Sequence, residues 1–437
     1  MKALLLSLLL VPALVLAQAP VIEISGANFR PLPLAAPSPV VQEGADKKSA
    51  QTFDSAFTYD LTASGIFQVL DRAGFTADAK EGMTAGSINF SRWADVGAES
   101  LVKVSLAQDG GALRGELRLF SVATGKEELK VAKDAPAGEP RQLAHALADA
   151  LYRHFTREAS PFLSRITYVR KAGANRDVYV ADWDGMNAQA LTKGGTHILP
   201  TLSPSGQVAY TSYRKNRPDI YVQSPGGEAK PLVTEGQMAT GIAYSPDGKR
   251  IAYALAEGES AQIYVASADG SGAKAVTDTP YGLNTSPTWS PDGKRIAFVS
   301  NRGGSPQVYV MNADGSGVKR LTFQGNYNQT PDWSPRGDLI AFTARDERNA
   351  FDLFTVNVDT GKVTRLTQDQ GNNEEPTFSP NGRLIMFSTN RNGGAHLWVM
   401  TSDGNNQVPL PMEKGNWLTP DWGTAPASKE SATAGVR

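Results

Sequence analysis

The stretch Ser290-Pro291-Asp292-Gly293-Lys294-Arg295-Ile296-Ala297-Phe298 decides how the chain folds, because versions of it recur at regular intervals. The copies begin at Ser203, Ser245, Ser290, Ser334 and Ser379 and read SPSG, SPDG, SPDG, SPRG and SPNG. Successive copies start 42, 45, 44 and 45 residues apart. A fixed period of this size indicates repeated structural units that pack against their neighbours.

Each repeat contains the signals of four short strands. A run that ends in an aromatic residue, such as Trp289, precedes the Ser-Pro-Asp-Gly turn, in which Pro presets φ and Gly accepts a positive φ. Alternating strands follow over residues 295–300 and 307–311. The hairpin signal at residues 313–317 leads to a last strand that ends near Thr322. Four antiparallel strands per repeat predict the blades of a β-propeller.

Two incomplete repeats flank the complete ones. The first, before Ser203, has three later strands, over residues 166–170, 177–181 and 189–192, but lacks an opening strand. The second is the C-terminal segment 419–423, which has the pattern of an opening strand without its blade. Together they make a sixth blade, and this overlap removes the two free sheet edges of the ring. We therefore expect an all-β six-bladed propeller closed by the C-terminal strand.

Residues 1–17 have the features of a secretory signal peptide. Lys2 precedes an apolar run over residues 3–16, and Ala17 ends the segment on a small residue. The alternative, a membrane anchor, is disfavoured because the run is short for a span and contains Pro12. The chain has no Cys, so an exported form would carry neither a disulfide nor a lipid anchor. We expect a periplasmic protein.

Length and pattern predict two domains in the 437-residue chain. Residues 18–160 lack the repeat and show two amphipathic helices with strands between them, which predicts a small α/β domain with a mixed sheet. The propeller then covers residues 161–423, and residues 424–437 are small and polar, as in a disordered tail. With 43 basic and 44 acidic residues, nothing indicates binding of nucleic acid.

Motifs for enzyme chemistry are missing from the sequence. There is no Ser with Gly at both second neighbours, no Gly-Lys followed by Ser or Thr, and no His-Glu-x-x-His. The chain has four His, none at metal-ligand spacing, and we expect His145 and His154 to be solvated on the polar side of a helix. The Asp-Gly pairs, including Asp184-Gly185, are expected to be hairpin turns rather than calcium ligands. We therefore expect no catalytic residue, cofactor or metal.

Binding residues are expected at one mouth of the propeller channel, where the loops that lead into the blade-opening strands converge. Loops held by a rigid scaffold are common binding sites. The alternative is that the Asn, Thr and Pro residues of these loops only shape turns and hold water in the channel. The candidate residues are His197, Met238, Thr240, Asn284, Thr285, Ser286, Asn328, Gln329, Thr330, Asn373, Glu374, Glu375, Trp417 and Thr419.

The repeat over residues 287–322 resembles the propeller repeat of the TolB family. Similar repeats occur in many propellers, including those of prolyl-oligopeptidase-like enzymes, so the repeat alone indicates the fold more than the function. Residues 61–72, 93–99 and 164–169 also resemble family features. The resemblance covers residues 1 to about 423 and keeps the order of signal peptide, α/β domain and six blades, without a catalytic domain.

The resemblance implies a periplasmic subunit of the Tol-Pal system that supports outer-membrane integrity and invagination during cell division. TolB proteins bind the lipoprotein Pal through the propeller, which implies that Pal contacts the mouth residues named above. They bind TolA through the N-terminal region of the mature chain, which here corresponds to a strand-like segment, Val21, Ile22, Glu23, Ile24 and Ser25. This chain departs from the family pattern at Gly241-Ile242, where the other repeats have Pro. We expect a monomer.

Two other functions stay open from the sequence. One is a propeller hydrolase or lactonase, with Glu374 and Glu375 as metal ligands, although no second acidic cluster occurs on a neighbouring loop. The other is a sensor that binds a small ligand or glycan in the central channel. The protein-binding interpretation is favoured because it accounts for the whole chain rather than for the propeller alone.

Overall fold

The computed structural model describes residues 30–42, 44–77, 80–214 and 216–423. The predicted architecture, a small α/β domain followed by a closed six-bladed propeller, is confirmed. The predicted signal peptide, the strand-like segment 21–25 and the predicted tail lie outside the described residues. None of the helices in the described ranges is long and apolar enough to cross a membrane.

The N-terminal domain is a mixed sheet with helices packed on it. Its strands are β1 (Leu32–Ala35), β2 (Val40–Val41), β3 (Phe67–Val69), β4 (Ser100–Asp109), β5 (Ala112–Ser121) and β6 (Glu127–Pro136). Its helices are α1 (Lys47–Ala63), α2 (Phe90–Asp95) and α3 (Pro140–Thr156). The strand order is β3-β1-β4-β5-β6, with β2 also paired to β4. β1 runs parallel to β3 and β4, whereas β4, β5 and β6 form an antiparallel meander.

Local sequence sets the ends of the two long helices. Asp46 caps α1, because its side chain accepts a hydrogen bond from the backbone N–H of Ser49 at 2.9 Å. α3 ends at Arg157, which adopts a left-handed conformation with φ of 61°. α3 packs against α1 as well as against β5 and β6, so it is enclosed on more than one side.

This enclosure makes the prediction of a solvated His145 wrong. Only 3% of the residue is exposed, and its Nδ1 lies 2.7 Å from Asp60 Oδ2 in α1. The side of α3 that carries His145 therefore faces α1 rather than water. His154, nearer the end of the same helix, is half-buried.

Six four-stranded antiparallel sheets form the propeller. Blade one contains β7 (Arg165–Ala172), β8 (Asn175–Asp182) and β9 (Gln189–Ala190), and blade two contains β10 (His197–Leu202), β11 (Val208–Ser212), β12 (Asp219–Gln223) and β13 (Lys230–Val233). Blade three contains β14 (Met238–Tyr244), β15 (Arg250–Glu257), β16 (Ser260–Ser267) and β17 (Lys274–Ala275). Blade four contains β18 (Asn284–Trp289), β19 (Arg295–Ser300), β20 (Gln307–Asn312) and β21 (Lys319–Arg320). Blade five contains β22 (Asn328–Trp333), β23 (Leu339–Arg345), β24 (Phe351–Asn357) and β25 (Val363–Arg365), and blade six contains β26 (Asn373–Phe378), β27 (Leu384–Thr389), β28 (His396–Thr401) and β29 (Val408–Pro409).

The Ser-Pro-Asp-Gly turn joins the first and second strands of a blade through a repeated set of hydrogen bonds. In blade four, Ser290 Oγ accepts from the backbone N–H of Arg295 at 2.9 Å and donates to Asp292 Oδ1 at 2.6 Å. Gly293 has φ of 64°, a left-handed conformation that suits a residue without Cβ. The turn at Ser245 makes the same bonds. The recurring sequence thus encodes a recurring turn.

The C-terminal strand β30 (Trp417–Trp422) closes the ring as predicted. It pairs antiparallel with β7, with Trp422 opposite Ile166, so blade one has the order β30-β7-β8-β9. Trp422 Nε1 also donates to Ser164 Oγ at 2.7 Å. Blade one is therefore built from both ends of the propeller sequence.

The two domains share a continuous apolar core in which side chains of α1 and α3 pack with Trp183 and Trp422 of the propeller. At the edge of this core Arg383 donates to Glu158 at 2.9 and 3.0 Å. Asn406 Nδ2 donates to the carbonyl of Thr62 at 2.9 Å. These propeller residues lie at the end of the ring where the innermost strands finish. We call that end the docked face.

Candidate functional site

The predicted binding residues lie at the opposite end of the ring, which we call the open face and which is marked by the starts of the innermost strands. They belong to strands rather than to loops: His197, Asn284, Asn328, Asn373 and Trp417 are the first residues of β10, β18, β22, β26 and β30. Each of these strands starts before the Pro of the repeat, which cannot donate a hydrogen bond to the ladder. In blade four the pairing register shifts between Thr285 and Thr288, and this shift accommodates the Pro within the strand.

The Asn residues at the first position use their amides to join neighbouring blades. Asn328 Nδ2 donates to Gln307 Oε1 of blade four at 2.8 Å, and Asn373 Nδ2 donates to Asp352 Oδ1 of blade five at 3.0 Å. Asn284 makes the equivalent bond to blade three at 3.0 Å. All three side chains are buried. They contribute to the packing of the ring and present little surface to a partner.

The other candidate residues at the starts of the innermost strands differ in exposure. His197 is buried, its Nε2 lies 3.0 Å from the carbonyl of Gly194, and burial lowers its pKa. Trp417 is buried and its Nε1 donates to the carbonyl of Glu413 at 3.1 Å. Met238 begins β14 one residue before the first position, which Ala239 occupies in that blade, and is 38% exposed. Of these three, Met238 offers the surface that a partner could contact.

The second-position residues Thr285, Gln329 and Glu374 are half-buried and keep accessible surface at the open face. Burial raises the pKa of the Glu374 carboxyl. The third position lies four residues before the Ser of the turn. In blade three this residue is Gly241, so Thr240 occupies the second position. The candidate residues chosen in blade three therefore lie one residue earlier than those in the other blades.

The third-position residues line the central channel. Ser286, Thr330, Glu375 and Thr419 have positive φ values of 52°, 47°, 58° and 45°, and Gly241 has 62°. Together with the Pro and aromatic residues that follow them they surround a cavity of about 360 Å³. The backbone bulge at the repeat Pro is what turns these side chains toward the channel.

The channel contains carboxyl groups on blades five and six and on the closing strand. Burial raises the pKa to about 7 for Glu375, to about 7 for Asp332 and to about 6 for Asp421. Each accepts a backbone N–H from the next blade, from Thr419, Phe378 and Leu202 at 2.6, 2.7 and 2.7 Å. Among the described residues that surround this cavity, none is Lys, Arg or His. The channel therefore becomes negatively charged as these carboxyl groups ionise.

Asp332 and Asp421 were missed by the sequence analysis. They occupy the repeat position two residues before the turn, where blades four and six have Thr288 and Thr377. A carboxylate at a repeat position that other blades fill with Thr is the signal that could have found them. In blades four and six the Thr hydroxyl accepts a similar inter-blade bond, from Trp333 N to Thr288 Oγ1 at 3.4 Å and from Trp422 N to Thr377 Oγ1 at 3.2 Å.

Exposed apolar side chains also occur on the open face and were missed by motif reasoning. Tyr281 is 80% exposed, Leu283 49% and Phe323 72%, and all three lie in segments that lead into β18 or β22. Tyr213, 39% exposed, follows β11 on the same face. Exposed apolar groups that occur together on one face of a protein mark surfaces for protein binding.

Known proteins match both domains. The family model described as the TolB amino-terminal domain matches residues 20–128, and the TolB beta propeller domain matches residues 152–426. The Tol-Pal system protein TolB of Myxococcus xanthus (strain DK1622) is 79% identical over 431 residues, which cover 98% of this chain and 100% of that one. The TolB of Anaeromyxobacter dehalogenans (strain 2CP-C) is 46% identical over 94% of this chain and 95% of its own length.

A solved structure agrees with these matches. The crystal structure of TolB from Acinetobacter baumannii superposes with a TM-score of 0.76 at 25% identity, covering 90% of this chain and 97% of that one. The match extends over the N-terminal domain as well as the propeller. The chain belongs to the TolB family.

Proposed function

We propose that this chain is a non-enzymatic, protein-binding component of the Tol-Pal system that acts in the periplasm as a monomer. It binds the lipoprotein Pal at the open face and TolA through the N-terminal segment 21–25. Through these partners it supports the integrity of the outer membrane and its invagination during cell division. Family membership and the similarity to Tol-Pal system proteins support the proposal.

The observation that carries the proposal is the chemistry of the open face. Tyr281 and Phe323 are exposed on the same face at which Thr285, Gln329 and Glu374 keep accessible surface. The cavity in the channel is lined by the carboxyl groups of Asp332, Glu375 and Asp421. Protein interfaces commonly combine aromatic contact residues with a polar rim. The N-terminal domain contacts the docked face, so the described part of the chain leaves the open face accessible.

The test measures the affinity of the mature protein for purified Pal of the same bacterium by calorimetry. We expect Tyr281→Ser combined with Phe323→Ser to weaken binding at least about tenfold, because each aromatic contact residue contributes about 1 kcal/mol or more. The matched control is Val318→Ser combined with Val363→Ser, which removes apolar residues of 39% and 37% exposure away from the open face. Equal loss in both pairs, or no loss in the aromatic pair, would refute the assignment of this face.

The proposed TolA contact has a separate test. A strand-like segment can add to the sheet edge of a partner by backbone pairing. We expect a mature chain that lacks residues 18–26 to lose TolA binding while it keeps Pal binding. If this shortened chain bound TolA as well as the complete mature chain does, residues 21–25 would not be the contact.

A second candidate function follows from the cavity in the channel. A volume of about 360 Å³ lies within the range of small-ligand sites, so a sensor that binds a small molecule or glycan is also compatible with the propeller. Cell-wall fragments that raise the melting temperature of the wild type but not of Glu375→Gln would favour this function. No shift with such fragments, together with tight Pal binding, would exclude it.

A further inference from the structure

A cluster of buried charged side chains connects the two domains. Asp60 comes from α1, Arg141 and His145 come from α3, and Asp184 comes from the propeller turn that follows β8. His145 Nδ1 lies 2.7 Å from Asp60 Oδ2, and its Nε2 lies 3.7 Å from Asp184 Oδ2. The exposed fractions of Asp60, His145 and Asp184 are 0%, 3% and 0%.

The propeller reaches this cluster with two adjacent residues. Trp183 Nε1 donates to Asp60 Oδ1 at 3.1 Å, which joins the propeller to α1. Arg141 forms an ion pair with Asp184, which joins α3 to the propeller. Both carboxylates therefore bridge the domains, and the imidazole of His145 lies between them.

Charge counting distinguishes the two protonation states of His145. Two carboxylates and one guanidinium leave one negative charge in a buried site, and a buried net charge is costly. A proton on His145 balances it. With a neutral imidazole whose Nδ1 donates to Asp60, the lone pair of Nε2 would instead point toward the Asp184 carboxylate.

An unused hydrogen-bonding atom agrees with this balance. His145 Nε2 is buried and has no hydrogen-bond partner among the described residues, although a carboxylate oxygen lies 3.7 Å away. An N–H at this position would attract that oxygen, whereas a bare nitrogen would repel it. The position of the Asp184 carboxylate therefore favours a protonated Nε2 over a bare one.

We propose that His145 carries a proton in the native protein and that this imidazolium holds the N-terminal domain against the propeller. Loss of the proton leaves two carboxylates facing a neutral ring and weakens the contact between the domains. The junction is therefore a pH-sensitive connection in which His145 acts as a positioning residue.

The same residues could suggest a metal site, since one His and two Asp converge. Arg141 argues against it, because its guanidinium already pairs with Asp184 Oδ2, the carboxylate oxygen nearest to His145 Nε2. A divalent cation there would be placed next to a fixed positive charge. A proton needs no such rearrangement.

The direction of the pH effect follows from the groups that face His145. Burial lowers the pKa of His145, but the charge of Asp60, its hydrogen bond and the charge of Asp184 outweigh burial, so the pKa is raised. Burial raises the pKa of Asp60 to about 6 and that of Tyr59 well above its ordinary value. A raised pKa stabilises the native state fully below the unfolded His value of about 6.5, and this stabilisation is lost as pH rises through the folded value.

The first test reads the protonation state directly, by nitrogen-15 NMR of the histidines in the mature protein. The chain has only four His, so single His→Gln variants of His154, His197 and His396 assign the signals even if His145→Gln does not fold. We expect His145 to keep both nitrogens protonated to a higher pH than His154, whose pKa burial lowers. Loss of the His145 proton at or below the ordinary His value of about 6.5 would overturn the proposal.

The second test reads the domain contact. Because the chain has no Cys, Thr124→Cys and Asp359→Cys place one spin label on each domain. We expect the label-to-label distance distribution to broaden as pH rises through the value at which the NMR signals show that His145 loses its proton. In His145→Gln it should be broad below and above that value, and in His154→Gln it should follow the wild type.

Two outcomes would overturn this part of the proposal. One is a distance distribution in the wild type that does not change as His145 loses its proton. The other is stoichiometric Zn²⁺ binding that disappears in His145→Gln, which would make the cluster a metal site instead.

Discussion

Removing the Asn328 amide tests whether the first-position residues stabilise the packing of the blades or contribute to the binding of a partner. In Asn328→Ala, the Nδ2 bonds to Gln307 Oε1 at 2.8 Å and to Gln324 O at 3.0 Å are lost. Gln307 Oε1 keeps its bond from Thr322 Oγ1 at 2.8 Å, so it is not left without a partner. Two lost bonds at about 1 kcal/mol each predict a destabilisation of about 2 kcal/mol.

Thermal unfolding followed by circular dichroism measures this effect. For a domain of this size about 1 kcal/mol corresponds to roughly 2–4 °C, so the melting temperature should fall by about 4–8 °C. The control Gln329→Ala changes the next residue, which is half-buried, and should stay within about 0.5 kcal/mol of the wild type. Asn328→Asp keeps the shape of the side chain but removes the donor, so it should be at least as destabilising as Asn328→Ala.

Binding distinguishes the two interpretations of Asn328. The buried amide predicts that Asn328→Ala, assayed well below its melting temperature, binds Pal as tightly as the wild type does. An unchanged melting temperature together with weaker Pal binding would show that the Asn328 side chain contributes to Pal binding rather than to stability. That result would refute the reasoning for the equivalent residues Asn284 and Asn373 as well.

Three further perturbations test the channel and the junction. Burial raises the pKa of Glu375 to about 7, so the free energy of unfolding of the wild type should fall as pH rises from about 4 to above 7. Glu375→Gln should remove part of this fall, as measured by denaturant titrations. Gly65→Ala places a methyl group against Thr401 of the propeller at a φ of 69°, so limited proteolysis between the domains should become faster. Glu158→Ala removes the paired bonds from Arg383 and should cost about 1 kcal/mol at low salt and less at high salt, measured by chemical denaturation.

The propeller could be predicted from sequence because its signals are local and repeated. Ser290, Asp292 and Gly293 form a turn whose hydrogen bonds lie within six residues, so the sequence pattern is also the structural unit. Repetition of this unit gave the number of blades, including the closing strand. The strand order of the N-terminal domain could not be predicted in the same way, because β1 pairs with β3 and β4 from distant parts of the chain.

The end of the ring at which the candidate residues lie could be predicted from sequence, whereas the burial and hydrogen bonds of the individual residues could not. An Asn that joins two blades and an Asn that binds a ligand need the same donor and acceptor, so Asn328 and Asn373 could not be assigned from sequence. His145 was placed on a polar helix side, and only the packing of α1 against that side makes it buried. Exposure of Phe323 likewise depends on how β21 and β22 are connected in space.

The closure of blade one sets the order in which this chain can fold. Trp422 and Ser164, which meet by a hydrogen bond, are 258 positions apart in the sequence. Contacts between such distant residues form late, since closing the intervening loop costs entropy before the contact contributes. Because a chain is synthesised from its N-terminus, β30 is made after every other strand, and blade one cannot be completed before β30 is available. Until then β7 has no partner on one side, and an unpaired strand edge is prone to aggregation.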